Sequence, residues 1–289
     1  MFQSTLKSDA TRVIAHLDTQ IATMGDLPVT RAMRYAIAGG KGLRGFLVME
    51  SARLHDVAEE NALWPAAAIE AVHAYSLIHD DLPCMDDDDL RRGQPTVHIK
   101  WDESTAVLAG DALQALAFEL TSDPRCHPDA ARRADLTLSL ARAAGARGMV
   151  LGQALDIAAE TSETPLTLTE ITALQNGKTG ALIRWSGEAG ARLAGAEITP
   201  MRHYAQALGL AFQIADDILD VEGDARKAGK RLQKDAEAGK ATFVSLLGLE
   251  GAKVRANELV MTACDALSPF GPRADTLREA ARFVISRDS

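Results

Sequence analysis

Residues 65–89 read PAAAIEAVHAYSLIHDDLPCMDDDD, and this stretch decides the fold. From Pro65 to Leu82 the segment is apolar enough to be a buried helix, with Asp80 and Asp81 in its last turn. Pro83 cannot continue that helix and disfavours helical geometry at Leu82. The chain then turns and brings Asp86 back beside Asp80. An unbroken helix would separate the two by about 600° of rotation, so the turn is essential to the reading.

Helical spacing dominates on either side of this stretch, and alternating strand patterns are scarce. The spacing predicts helices over 3–22, 28–38, 45–56, 61–82, 101–120, 129–158, 168–192, 199–222, 240–266 and 272–286. Breaks fall at Gly39-Gly40, Pro83, Asp123-Pro124, Thr164-Pro165 and between Gly223 and Gly229. Thr169 with Glu170, and Pro200, read as helix starts. No linker divides the chain. Residues 1–289 read as a single domain, all-α, a large helical bundle able to hold a deep central cavity between facing helices.

Composition agrees. The hydrophobic fraction is 47% but aromatics are only 4%, so the core is built from Ala, Leu, Val and Ile, which suit helices. A net charge of −9 argues against a nucleic-acid partner. Cys84, Cys126 and Cys264 are far apart and lack zinc-ligand spacing, which fits a reduced, cytoplasmic protein. No apolar run suits a signal peptide or a membrane span, so no stable membrane insertion is expected.

A second acidic cluster appears far downstream, in Gln213-Ile214-Ala215-Asp216-Asp217-Ile218-Leu219-Asp220. Asp216 and Asp220 share a helix face. A bundle could place the two clusters opposite each other. Taken singly, a run such as Asp86–Asp89 is solvated surface by default, and a calcium loop lacks its glycine and closing glutamate here. Two clusters on otherwise apolar helices favour metal binding. Carboxylates so close repel unless cations intervene. An all-oxygen donor set suits magnesium, which is commonly shared between one or two carboxylates and substrate phosphates.

Cationic residues supply the counterpart. Gly39-Gly40-Lys41-Gly42-Leu43-Arg44-Gly45 is a glycine-rich turn that leads into an apolar helix. It fits a plain inter-helix turn, or one that offers N–H groups to an anion. It lacks the Walker pattern. Arg91-Arg92-Gly93 fits a surface salt-bridge patch or a two-pronged phosphate grip. Gly177-Lys178-Thr179-Gly180 invites a kink that would free carbonyl oxygens, or marks a helix boundary. Gly229-Lys230 and Gly239-Lys240 bracket a polar stretch. His73 lies on the Asp80 face, about 10.5 Å away along the helix. It reads as a core histidine or as a reach towards a second phosphate.

GGKGLRG, HAYSLIHDDLPCMDDDDLRRG, GKTGALI, FQIADDILD and GKATFVSLLG together resemble the trans-polyprenyl diphosphate synthases, most of all the bacterial farnesyl diphosphate synthases. The likeness runs from about Arg31 to Gly248. It implies an isoprenoid synthase bundle, a homodimer, and condensation of isopentenyl diphosphate with an allylic diphosphate. It also implies magnesium, three ions assembled with the allylic diphosphate. Asp80 and Asp86 resemble the metal ligands of the first motif, supported by Asp81. Asp216 resembles the ligand of the second, with Asp217 and Asp220 behind it. Arg91, Lys178, Thr179, Gln213, Lys230 and Lys240 resemble the residues around the allylic diphosphate. Gly40, Lys41, Arg44, His73 and Arg92 resemble the isopentenyl diphosphate pocket, with Phe212 along its hydrocarbon part. Lys178, Thr179, Gln213 and Lys230 are the expected catalytic set.

The family often has a basic residue where Gly42 stands and proline where Gly45 stands. Many relatives carry glycine at the position of Gln233, before Lys234, and some end in a basic tail where only Arg287 stands here. Tyr75, about 7.5 Å below Asp80 on the same helix, reads as the ring that stops a growing chain or as ordinary aromatic packing; Ser76 cannot stop a chain. An aromatic there plus the inserted Pro83-Cys84 goes with a fifteen-carbon product in the family. A twenty-carbon or ten-carbon synthase is the alternative. A terpene cyclase would show an Asn/Asp-Ser/Thr-Glu triad in place of Asp216-Asp217-Ile218-Leu219-Asp220. A non-catalytic subunit would have lost aspartates or lysines, and a diphosphate hydrolase would release free alcohol.

Overall fold

The computed structural model describes residues 2–161, 164–222 and 241–286. The chain folds as two compact units. Among the described residues, the first comprises 3–140 with 189–196; the second comprises Phe2, 141–161, 164–188, 197–222 and 241–286.

The first unit carries α1 (Phe2–Ala22) apart from Phe2, α2 (Pro28–Ile37), α3 (Leu43–Leu54), α4 (Glu59–Asp80), α5 (Val97–Lys100), α6 (Glu103–Ser122) and most of α7 (Ala130–Ala144). α4 packs against both α3 and α6, and that position explains its composition. Ala66, Ala67, Ala68, Ile69, Ala71 and Val72 are fully buried, so small side chains let neighbouring helices close in. Asp102 starts α6 by accepting the Thr105 N–H at 2.6 Å. One charged hub ties the outer helices together. Arg53 grips Asp9 with two 2.7 Å hydrogen bonds and also donates to Glu50 and Glu59.

The second unit carries α8 (Met149–Glu160), α9 (Leu168–Gln175), a π-helical turn (Asn176–Gly180), α11 (Thr199–Glu222), α12 (Phe243–Ala266), a 3-10 stretch (Ser268–Ala274) and α13 (Asp275–Ser286); α10 (Ala181–Ala194) is divided between the units. α11 and α12 form its main pair. Tyr204 is fully buried, and its hydroxyl donates to the Leu277 carbonyl at 2.9 Å.

Three expectations need correction. The pattern over 129–158 is not one helix: it breaks at Gly145–Gly148 into α7 and α8. Gly148 takes φ −148° and ψ −116°, and a Cβ there would meet the Ala143 carbonyl oxygen at 2.1 Å. α9 starts from Thr167, not Thr169. Thr167 and Glu170 cap each other reciprocally, with bonds of 2.8 and 3.3 Å. A small hairpin, β1 (Leu90–Arg91) with β2 (Gln94–Pro95), was not expected at all.

Candidate active site

In the first unit the aspartate motif closes as the proline demands. α4 ends at Asp80, and Asp81 caps it. The loop then folds back through Met85 N–H to Leu82 C=O at 2.8 Å and Asp86 N–H to Asp80 C=O at 2.8 Å. Asp86 is thereby brought beside Asp80. Asp81 is buried, 3% exposed, and takes the Arg91 guanidinium at 2.5 to 2.7 Å. Burial pushes the Asp81 carboxyl up from its ordinary range; the Arg91 contact opposes this, and Asp88 and Asp86 add to it.

Arg91 and Arg92 are presented by the hairpin. Its turn residues, Arg92 at φ +54° and Gly93 at φ +73°, both lie in the left-handed region that a tight two-residue hairpin requires. Only the glycine adopts it without cost, so Arg92 is held in a strained conformation. Its guanidinium lies against Gly40, where a Cβ would come 3.3 Å from Nη1.

Arg44, His73 and Glu70 are electrostatic neighbours of Arg92. The Arg44 Nε is buried without a hydrogen-bond partner. Burial lowers the Arg44 pKa, Glu70 opposes this and Arg92 adds to it. Glu70 is buried and accepts the Gly45 N–H at 2.8 Å, and burial pushes its carboxyl up. His73 is held well below its ordinary 6.5, first by burial and then by Arg44, Arg92 and Arg91. A neutral imidazole and neighbouring guanidiniums with an unmet buried N–H make a site that an anion would complete. The structure thus brings together Gly40, Arg44, His73 and Arg92. Lys41 is exposed at the start of the same turn. Gly42 stands where the resemblance leads one to expect a basic residue. Its φ is +66°, and a Cβ would lie 2.5 Å from that of Ala10, so here only glycine fits.

In the second unit the glycine-flanked GKTG segment is a π-helical turn, a form frequent at functional sites. Lys178 Nζ pairs with Asp156 on α8 at 2.5 Å. The turn rests directly on α8. A Cβ on Gly152 would lie 2.0 Å from the Lys178 backbone nitrogen. Gln213 donates to Gln175 at 2.5 Å. On α11, Gln213, Asp216 and Asp220 follow one helix face, and Phe212 is half-buried beside them. Asp217 is buried and accepts the Phe243 N–H, at the start of α12, at 2.7 Å. Lys230 and Lys240, with Gln233, Lys234 and Arg287, lie outside the described residues.

Two residues beside this turn escape the motif reading. Asp156 holds Lys178, and Gln153 has a buried amide nitrogen without a partner. The signal was there: a polar pair three apart, Gln153 and Asp156, on a helix that is apolar from Met149 to Ala159 apart from these two. Among the described residues no three carboxylate, imidazole or thiol side chains converge on one point to hold a metal.

A polyprenyl synthetase family signature matches residues 28–266. The chain is 43% identical to a farnesyl diphosphate synthase of Haemophilus influenzae, covering 100% of this chain and 99% of the relative. It is 40% identical to the chloroplastic geranylgeranyl pyrophosphate synthase 9 of Arabidopsis thaliana, covering 96% of this chain and 79% of the relative. The crystal structure of an FPP/GFPP synthase from Zymomonas mobilis superposes with a TM-score of 0.87 at 48% identity, covering 96% of this chain and 98% of that one. That likeness bears out the all-α bundle of the isoprenoid synthase type. A signature over most of the length, and near-complete coverage at such identity, establish that this chain belongs to the polyprenyl synthetase family.

Proposed function

We infer that the chain is a trans-prenyltransferase of the farnesyl diphosphate synthase type, which condenses isopentenyl diphosphate with dimethylallyl or geranyl diphosphate. Membership of the family together with intact aspartate motifs supports this. The single observation that carries the metal chemistry is the closure of the first motif, Asp86 N–H on Asp80 C=O at 2.8 Å. Such a closure suits two hard-oxygen side chains at one loop, with further coordination from diphosphate and water, which magnesium prefers. Asp80, Asp86 and Asp216 would hold the ions, with Asp81 and Asp220 in support. When bound, magnesium neutralises charge that develops on a departing diphosphate.

Arg91, Lys178, Lys230 and Lys240 bind the allylic diphosphate. The C1–O bond breaks and its electron pair leaves with the diphosphate. Thr179, Gln213 and carbonyls of the π turn would offer dipoles to the allylic cation. Gly40, Lys41, Arg44, His73 and Arg92 hold the isopentenyl diphosphate, and Phe212 lies along its hydrocarbon part. Its double bond attacks C1, which requires positioning above all. The released diphosphate takes the proton then lost from the isopentenyl unit. Tyr75 stops the chain at fifteen carbons.

The protein acts in the cytoplasm, as a homodimer. No helix among the described residues is long and apolar enough to cross a membrane. Val107 and Leu108 on α6, with Leu138 on α7, are exposed apolar residues suited to a second copy. Incubation with magnesium, labelled isopentenyl diphosphate and geranyl diphosphate should yield farnesyl diphosphate on chromatography. Chelation, Asp80→Ala and Asp216→Ala should each abolish it. Unchanged turnover in both variants, or release of free alcohol alone, would overturn the assignment.

A further inference from the structure

The hairpin that presents Arg91 and Arg92 is too short to set its own position. Its strands have two residues each, and an isolated pair of strands is marginal in water. Pro95 supplies no N–H to its rung with Leu90. Where the two arginines sit is therefore decided by what grips the hairpin from outside.

The last turn of α2 and its cap grip it at both ends. At the base of the hairpin the Tyr35 hydroxyl donates to the Pro95 carbonyl at 2.7 Å. At the tip, Arg92 Nη1 donates to the Ala38 carbonyl at 3.4 Å. Ala38 is itself tied to Tyr35, because it caps α2 by giving its N–H to the Tyr35 carbonyl at 3.3 Å. The Tyr35 ring is clamped in turn by the end of α5. Lys100 Nζ lies 3.6 Å from the ring centroid, and Trp101 meets the ring edge-on with centroids 5.3 Å apart. The phenol is thus held from one side and aimed at the hairpin on the other.

We propose that Tyr35 is a positioning residue for isopentenyl diphosphate: its hydroxyl, on the Pro95 carbonyl, fixes the hairpin and so sets where the Arg92 guanidinium meets that substrate. The proposal rests on the reading of Arg92 as a ligand of this diphosphate. Arg92 stands at φ +54°, a conformation that persists only while its surroundings hold it. A guanidinium carries five N–H groups, so the Ala38 contact fixes its plane and leaves others to reach a phosphate. Arg91 has the Asp81 carboxylate as a further hold. Loss of the Tyr35 hydroxyl therefore falls on Arg92 more than on Arg91, and on one substrate more than on the other.

The test is steady-state kinetics with isopentenyl and geranyl diphosphates, with thermal melts beside it. Arg92→Gln tests the underlying reading and should raise the KM for isopentenyl diphosphate by about 10²-fold, as loss of a hydrogen bond to a charged group does. Tyr35→Phe keeps the ring and its clamp and loses only the tether. It should raise the same KM about fivefold to tenfold. Its kcat and its KM for geranyl diphosphate should stay within about twofold of the parent. In the Arg92→Gln background, Tyr35→Phe should raise the KM for isopentenyl diphosphate no further, because the group that it positions is already gone.

A parental KM in Tyr35→Phe beside a raised one in Arg92→Gln overturns the role of Tyr35 and leaves Arg92 in place, whether or not the melting temperature falls. An unchanged KM in Arg92→Gln removes the reading of Arg92, and the proposal with it. Equal rises for both substrates in Tyr35→Phe, or a full further rise in the double variant, overturn the positioning by showing that the hydroxyl does not act through Arg92.

Discussion

Gly152→Ala should disable the enzyme from a residue that touches no substrate. The added Cβ would lie 2.0 Å from the Lys178 nitrogen, 2.5 Å from its Cα and 2.6 Å from the Gly177 carbonyl carbon. All three are backbone atoms, so no rotamer change relieves the clash. Real Cβ atoms essentially never come nearer than 3.0 Å, so α8 and the π turn must separate by about 1 Å, a displacement that can cost roughly 10²-fold in rate when it moves a catalytic group. Overpacking of this kind also costs about 1–3 kcal/mol of stability. Urea unfolding should show that loss. Steady-state kinetics should show kcat down by about 10²-fold and the KM for isopentenyl diphosphate unchanged, because the residues proposed to hold it, Arg44, His73 and Arg92, belong to the first unit. Parental kcat together with parental stability would refute the argument that α8 sets the position of Lys178 and Thr179.

Arg53→Ala should lower stability by about 3–5 kcal/mol, read from the urea midpoint, because Asp9 and Glu50, 1% and 6% exposed, lose their shared cation. His73 supplies a pH dependence. Its folded pKa lies well below 6.5, so below about pH 6.5 the unfolded chain binds a proton that the native state refuses, and stability falls as pH falls. His73→Gln should flatten that slope in melts taken between pH 5 and 7 (roughly the range in which an ordinary histidine titrates). Gly45→Pro should destabilise this chain by about 1–3 kcal/mol in the same assay, since proline cannot give Glu70 the N–H that it now accepts.

Much of this was legible in the sequence because local chemistry dictated it. Pro83 foretold the turn that returns Asp86 to Asp80. Residues 199–222 carry an unbroken apolar period, and α11 has those bounds. The paired glycines of GKTG foretold an irregular helix, which takes the π form. What stayed hidden depends on contacts between distant residues. The pattern over 129–158 runs through Gly145–Gly148 because the residues on either side still fit a helix. The Arg91–Arg92 hairpin is too short for any period to register. No spacing rule pairs Lys178 with Asp156, Gln213 with Gln175 or Asp217 with Phe243.

The last of those pairs has a counterpart near the other motif. Each aspartate doublet commits its second member to the scaffold, Asp81 to a guanidinium and Asp217 to the opening amide of a helix. An anion placed there is favoured by the helix dipole. Crowded carboxylates would otherwise push one another apart until cations arrived. Here one carboxylate of each doublet already has a fixed partner, so neither is left to swing freely on its helix.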